Sequence, residues 1–277
     1  MTTPADTVLV DGVADAGVSP RDRGLYYGDG LFETVLLVDG RAPLWPRHML
    51  RLATGCARLQ LPAPDAAQLW RETSTAAAGR PRAVVRITLT RGVGRRGYAP
   101  ASATQATRIV HGAAAPQVPA DWYARGIRVR FCHTRLARQP LLAGIKHLNR
   151  LEQVLARAEW DDAAIGEGLV GDFEGNVIGA TAANVFVVLD GRLVTPAVDQ
   201  CGVAGVARAE LLARHDDVAV RPIAWEELMR ADEIFLSSSV RGIVPVSALP
   251  GRELAVGAQA RALQAAWRAL GLQPEAA

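Results

Sequence analysis

Strand-like and helix-like segments follow one another irregularly along this chain, and that succession narrows the fold more than any other feature. TVLVDG, LFETVLLVDG, RAVVRITLTRG, TRIVHG, GIRVRFCHT, ANVFVVLDGRLVTP and ADEIFLSSSVRGIVPV read as strands or hairpins. Between them lie helical stretches. One follows Pro46 and gathers Met49, Leu50, Leu52, Ala53, Cys56 and Ala57 on one broad face. A second runs from about Asp65 to Ala78, a third through LNRLEQVLARAEW, a fourth through GVARAELLARH, and a last ends near Leu270. A doubly wound parallel sheet needs regular strand–helix alternation, which is missing, so the fold class expected is α+β. Asp39-Gly40 signals a hairpin. Asn149 with Glu152 forms a candidate capping box for the third helix, which is expected to bury Leu148, Leu151, Val154, Leu155 and Ala158. The Pro-containing stretch HGAAAPQVP lacks periodicity and reads as a linker. Three parts are therefore expected: an N-terminal α/β domain over 1–112, a linker over 113–120, and a larger mixed domain over 121–277.

Composition excludes several classes. With 277 residues, 49% hydrophobic and 21% charged, the chain can bury a core and is not disordered. No apolar run approaches the ~18 residues of a membrane span. The opening MTTPADTVLVDG lacks the basic-then-apolar pattern of a secretory signal. Cys56, Cys132 and Cys201 are far apart and form no CxxC pair. That fits a cytoplasmic location and argues against a disulfide framework or a structural metal. Net charge is only +3, and no basic run is interleaved with aromatics, so neither nucleic acid nor a membrane is an expected partner.

The chain has 31 basic residues, and Lys146 is its single lysine; the other 30 are arginine (31 − 1). A desolvated lysine amine can lose its proton and attack a carbonyl; a guanidinium, with a pKa above ~12, cannot. Lys146 lies at the end of the apolar stretch LLAGIKHLN, just before a predicted helix, which suits a Schiff-base lysine. A drift toward arginine that spared one lysine codon accounts for the same count.

A Schiff-base lysine often serves pyridoxal phosphate, which needs a phosphate cup. Gly205 precedes a helix, so the N–H groups of Val206 and Ala207 either face an anion or belong to a commonplace helix start after glycine. Ser237, Ser238 and Ser239 lie in a turn between strands and offer hydroxyls. Arg51 is a candidate counter-ion, or simply a surface arginine on an amphipathic helix. The loop TRGVGRRGY gathers Arg91, Arg95, Arg96 and Tyr98 around three glycines. It either binds a carboxylate through a guanidinium fork or is an exposed turn; it is neither a Walker loop nor a dinucleotide fingerprint.

Taken together, DRGLYYGDGLFET, TRGVGRRGY, LLAGIKHLNRLEQVLARAEW, GVAGVAR and ADEIFLSSS resemble the fold-type IV pyridoxal-phosphate enzymes, in that family's order and over nearly the whole chain. Within that group the chain looks most like the aminodeoxychorismate lyases; LAGIKHLNRLEQVL is the most specific piece. The resemblance implies a two-domain α+β fold with the active site between the domains of a homodimer, and pyridoxal 5'-phosphate as cofactor. It implies that Lys146 carries the cofactor and acts in catalysis, and that Arg51, Val206, Ala207, Ser238 and Ser239 hold the phosphate. Asn149, just after the lysine in the motif, is counted with the cofactor-binding residues. Glu33 and Thr34 lie on a strand that faces the cofactor, and Arg96 and Tyr98 match positions that face a substrate carboxylate. Thr34, Arg91, Arg96 and Tyr98 are thus the substrate-side candidates, and no metal is expected. The implied activity is conversion of 4-amino-4-deoxychorismate to 4-aminobenzoate and pyruvate in folate synthesis. An amino-acid aminotransferase or a degenerate cofactor-binding protein on the same scaffold are the alternatives.

One departure stands out. The group carries a glutamate, paired with the pyridine nitrogen, five residues before the Asn of an N-[LV]-F motif. Here that motif is Asn184-Val185-Phe186, and the position holds Gly179. No Asp or Glu occurs between Asn176 and Leu189. An ionised partner keeps the ring nitrogen protonated, so its loss weakens the electron sink.

Overall fold

A computed structural model of the chain describes residues 6–100 and 105–273. They divide into two compact units: Met1–Pro116 with Ile145–Asn149, and Gln117–Gly144 with Arg150–Ala277.

The first unit contains β1 (Thr7–Val10), β2 (Val13–Ala14), α1 (Arg23–Tyr27), β3 (Gly30–Val38), α2 (Trp45–Leu59), α3 (Ala66–Ala77), β4 (Arg82–Thr90) and β5 (Thr107–Ala114). Its antiparallel sheet runs β2-β1-β5-β4-β3. The period-two pattern of β3 puts Leu31, Glu33, Val35 and Leu37 on one face, in register with Leu89, Ile87, Val85 and Ala83 of β4. Leu52 and Cys56 of α2 and Leu69 and Ala76 of α3 are buried in the same core. Helix α3 is capped by Asp65, whose carboxylate accepts from the Ala67 N–H at 2.9 Å. Helix α2 lies close on β3: a Cβ added at Gly55 would come within 2.8 Å of Leu31 Cδ1.

Strand β3 is the edge of this sheet, and an edge needs partners for its free N–H and C=O groups. Residues 146–148 supply them. Phe32 N–H donates to the Lys146 carbonyl at 2.9 Å, and Leu148 N–H to the Gly30 carbonyl at 3.0 Å. These bonds group Ile145–Asn149 with the first unit, whereas the sequence places Lys146 among the C-terminal residues.

The second unit contains α4 (Ala120–Arg125), β6 (Ile127–Leu136), α5 (Leu151–Arg157), β7 (Ile165–Asp172), β8 (Val177–Ala180), β9 (Asn184–Leu189), β10 (Arg192–Thr195), α6 (Val206–Arg214), β11 (Ala219–Val220), α7 (Trp225–Leu228), β12 (Glu233–Ser238), β13 (Gly242–Leu249), β14 (Arg252–Glu253) and α8 (Ala258–Ala269). Its mixed sheet runs β11-β10-β9-β12-β13-β6-β7-β8, with β14 paired to β13. Leu169, Val185, Val187, Ile234, Leu236, Val244 and Val246 form its main core. Phe186 and Phe235, paired in register, stack with ring centroids 5.2 Å apart. The mixture of strands and helices without βαβ alternation is the α+β class the sequence indicates. The stretch read as a linker overlaps the end of β5 and the start of α4.

Helix α5 departs from expectation twice. Its residues Leu151, Val154 and Leu155 are 76%, 59% and 61% exposed in the single chain, not buried. The capping box is absent as well. Arg150 is the N-cap and makes no side-chain cap, Glu152 accepts from the Ala137 N–H at 2.8 Å, and Asn149 donates to the Gly28 carbonyl at 3.3 Å.

Candidate functional site

In the first unit, Lys146 is fastened by its own carbonyl to the β3 edge. Its Nζ lies 4.4 Å from the centroid of the Phe32 ring, a cation–π contact. The lysine is half-buried, so its amine is held in place and partly desolvated. Asn149, exposed, closes against Gly28, whose left-handed backbone (φ 63°) caps α1.

On the other face of β3, Glu33 is 1% exposed and gathers two partners from α2. Arg51 Nε donates to Oε1 at 2.8 Å and Arg51 Nη2 donates to Oε2, a two-point fork. His48 Nδ1 lies 2.6 Å from Oε2. His48 and Arg51 are three residues apart in α2 and so share a helix face. Burial alone would raise the Glu33 pKa; the charge of Arg51 and the hydrogen bonds of Arg51 and His48 outweigh it and bring it to about 2. Burial pushes the His48 imidazole below its usual range and outweighs the Glu33 bond, so the ring is neutral and Nδ1 carries the hydrogen. A depressed carboxylate pKa stabilises the fold at neutral pH. That contribution, about 3 kcal/mol for 4.5 against about 2, is present above pH ~4.5 and lost as pH falls toward 2. Urea titrations at successive pH values are expected to show the decline in the unmodified chain and a smaller one in Glu33→Gln.

The loop after β4 is held by arginines, although not as the sequence reading has it. Arg91, expected on the substrate side, is buried. Its Nε and Nη2 bind Asp29 at 2.8 and 3.1 Å, and its Nη1 and Nη2 bind the Gln60 and Leu59 carbonyls at 3.0 and 2.7 Å. Four donations inside the unit make it a structural pin. Arg23 shares Asp29 at 2.9 Å and donates to the Gly97 and Tyr98 carbonyls at 2.8 and 3.1 Å, clasping the loop. Burial would raise the Asp29 pKa, but bonds to Arg91 and Arg23 carry it below the carboxylate norm. Gly97 N–H donates to Tyr27 Oη at 3.1 Å, and the Tyr27 and Tyr98 rings lie 5.4 Å apart. Arg96 and Tyr98 are thereby left exposed on a loop whose backbone is fixed. Thr34 is half-buried on β3. Arg23 and Asp29 escape the sequence reading, although both lie in DRGLYYGDG.

In the second unit, α6 begins at Gly205, and its first turn presents the N–H groups of Val206 and Ala207. A side chain at 205 would collide with Asn184 Oδ1, so space rather than backbone angle demands the glycine. Asn184 Nδ2 donates to the Val203 carbonyl at 2.9 Å and fixes this turn. Ser237 pairs with Asn184 in register and so shares its sheet face. Its Oγ is buried without a hydrogen-bond partner among the described residues. Ser238 and Ser239 follow, half-buried, and Ser238 Oγ accepts from the Arg241 N–H at 3.0 Å. An orphaned hydroxyl on the sheet face of Asn184, which itself packs against Gly205 at the start of α6, suits a phosphate ester. Gly179 lies buried in β8; a Cβ there would approach the Ala183 carbonyl to 3.1 Å. Among the described residues no cluster of metal-binding side chains occurs.

Known proteins resemble the chain over most of its length. Residues 30–249 match the model of the family Amino-transferase class IV. An aminodeoxychorismate lyase from Vibrio harveyi is 34% identical over 248 residues, 88% of this chain and 92% of its own. The crystal structure of 4-amino-4-deoxychorismate lyase from Pseudomonas aeruginosa superposes with a TM-score of 0.90 at 48% identity, covering 95% of this chain and 98% of that one. A branched-chain amino acid aminotransferase from Escherichia coli has the same fold, with a TM-score of 0.84 at 22% identity over 98% and 97% of the two chains. The chain belongs to the class IV aminotransferase family.

Proposed function

We propose that the chain is an aminodeoxychorismate lyase, converting 4-amino-4-deoxychorismate to 4-aminobenzoate and pyruvate for folate synthesis. The observation that carries this reading is the 48% identity, over 95% of the chain, to the Pseudomonas aeruginosa lyase.

The cofactor is pyridoxal 5'-phosphate, which when bound through the substrate amine draws electron density away from the reacting ring. Lys146 Nζ would hold the cofactor, and its partly desolvated amine would serve as the base for the proton at C4 of the substrate ring. Elimination of pyruvate leaves an aromatic ring, so product formation itself favours the forward step. Arg51, the Val206 and Ala207 N–H groups, Ser238 and Ser239 bind the phosphate, and the orphaned Ser237 Oγ supports that assignment. Asn149 ties the segment after the lysine to Gly28. Arg96 and Tyr98, on the loop clasped by Arg23, bind a substrate carboxylate, and Thr34 faces the substrate from β3. Arg91 leaves this group, because it is buried and four of its five donors are taken by Asp29 and the end of α2.

A homodimer in the cytoplasm completes the reading. Exposed Leu151, Val154 and Leu155 on α5 support the first, since an apolar stripe at helical spacing is costly to leave in water. Buried, unpaired Cys56, Cys132 and Cys201 suit a reducing compartment. Leu151→Glu with Leu155→Glu is expected to shift sedimentation from dimer to monomer; an unchanged dimer would place the interface elsewhere.

The activity is tested by incubating the holoenzyme with aminodeoxychorismate and no amino acceptor. Equimolar pyruvate and 4-aminobenzoate are expected. No pyruvate, together with efficient amino transfer from an amino acid to a 2-oxo acid, would favour the aminotransferase.

A further inference from the structure

We propose that Glu33 and His48 are positioning residues that aim the Arg51 guanidinium, and so set the chain's preference for a phosphorylated cofactor over the same molecule without its phosphate. The inference rests on the reading above that Arg51 contacts that phosphate.

A guanidinium bound at one point can swing about its stem; one bound at two cannot. Arg51 is bound at two, through Nε to Oε1 at 2.8 Å and through Nη2 to Oε2 of the same carboxylate. The plane of the fork is therefore fixed, and the edge opposite Glu33, which carries the Nη1 hydrogens, points in one direction. The carboxylate is itself immobilised. It is buried on a strand, and His48 Nδ1 donates to Oε2 at 2.6 Å from one turn earlier on α2. The imidazole is neutral, so it holds the carboxylate without adding a second cation beside the Arg51 charge. The arginine side chain is 11% exposed and is held ready whether or not an anion is bound. Preorganisation of this kind favours binding by removing the cost of ordering the side chain at the moment of contact. Glutamine at 33 cannot reproduce it. Its amide accepts through one atom only, and its N–H group would face an Arg51 or His48 hydrogen.

A core ion pair that merely seats α2 on β3 would have the same contacts and the same effect on stability. Cofactor discrimination separates the two. The test measures, on chain stripped of cofactor, the dissociation constants of pyridoxal 5'-phosphate and of pyridoxal, with melting temperature alongside. Glu33→Gln is expected to weaken the phosphate ester about tenfold and pyridoxal less than about twofold. His48→Gln, which keeps a neutral donor toward Glu33, should stay within about threefold of the unmodified ratio. Arg51→Ala should reduce the ratio at least as far as Glu33→Gln. A folded Glu33→Gln chain with a lower melting temperature and an unchanged ratio would overturn the proposal. If Arg51→Ala reduces the ratio and Glu33→Gln does not, the phosphate contact stands and only the positioning role fails. If Arg51→Ala leaves the ratio unchanged, both fail. Should Glu33→Gln not fold, Glu33→Asp keeps the charge but is one methylene too short for the two-point fork; a ratio reduced by less than about twofold would then overturn the proposal.

Discussion

Lys146→Ala is expected to lower pyruvate release from aminodeoxychorismate by at least about a thousandfold, with the fold retained. General-base catalysis alone accounts for roughly 10²–10⁴, and the chain has no second side-chain amine to take the place of Lys146. Every other basic side chain is arginine or histidine, and a guanidinium neither gives up its proton near neutrality nor carries an aldehyde cofactor. Structurally the loss is small. The bonds that fasten this segment to β3 are made by the backbone, through the Lys146 carbonyl and the Leu148 N–H, and alanine keeps both. The contact with Phe32 that disappears is worth about 0.5–1 kcal/mol at a half-exposed site. A pyruvate assay coupled to a dehydrogenase, with melting temperature measured in parallel, checks both halves. Activity within tenfold of the unmodified chain would place the chemistry on another group.

Gly179→Glu is expected to raise amino transfer between an amino acid and a 2-oxo acid by about ten- to a hundredfold, the range of a charge-assisted hydrogen bond, and to raise lyase turnover much less. Amino transfer must sustain negative charge at the substrate carbon until a proton returns at a different atom, and a protonated ring nitrogen is what sustains it. The lyase reaction instead ends in an aromatic ring, so it depends less on that support. This is how a family member can lack the carboxylate and remain a lyase. Restoring a side chain has a structural cost. Its Cβ would lie 3.1 Å from the Ala183 carbonyl, which is itself held by the Ala180 N–H at 2.8 Å. Crowding of that order costs about 1–3 kcal/mol, so a melting temperature lowered by several degrees is part of the expected result. Efficient amino transfer by the unmodified chain, or no gain in the variant, would show that Gly179 is not what limits that reaction.

Much of the architecture was legible because it rests on local pattern. The apolar run in LFETVLLV, ended by Asp39-Gly40, lays down β3, and α3 starts just after Asp65, where the sequence places it. The stripe on α5 was misread for a physical reason. Leu151, Val154 and Leu155 have the spacing of a core face, and periodicity cannot distinguish a face buried in its own chain from one left for a partner. Asn149 and Glu152 have capping-box spacing, but stronger demands reached them first: the Gly28 carbonyl and the Ala137 N–H. Arg91 and Arg96 looked equivalent in TRGVGRRGY. Long-range pairing separates them, because Asp29, sixty-two residues earlier, takes one and leaves the other exposed. The role of Glu33 was hidden likewise, since its partners come from α2 and not from its own strand.

The central claim is that the chemistry turns on one amine, and the scarcity of lysine makes it directly measurable. The holoenzyme is reduced with borohydride, digested and mapped by mass spectrometry. The account predicts a single pyridoxyl-modified peptide, containing Lys146, and none from the Lys146→Ala protein. A modified peptide elsewhere in the chain, or cofactor trapped covalently in Lys146→Ala, would contradict it.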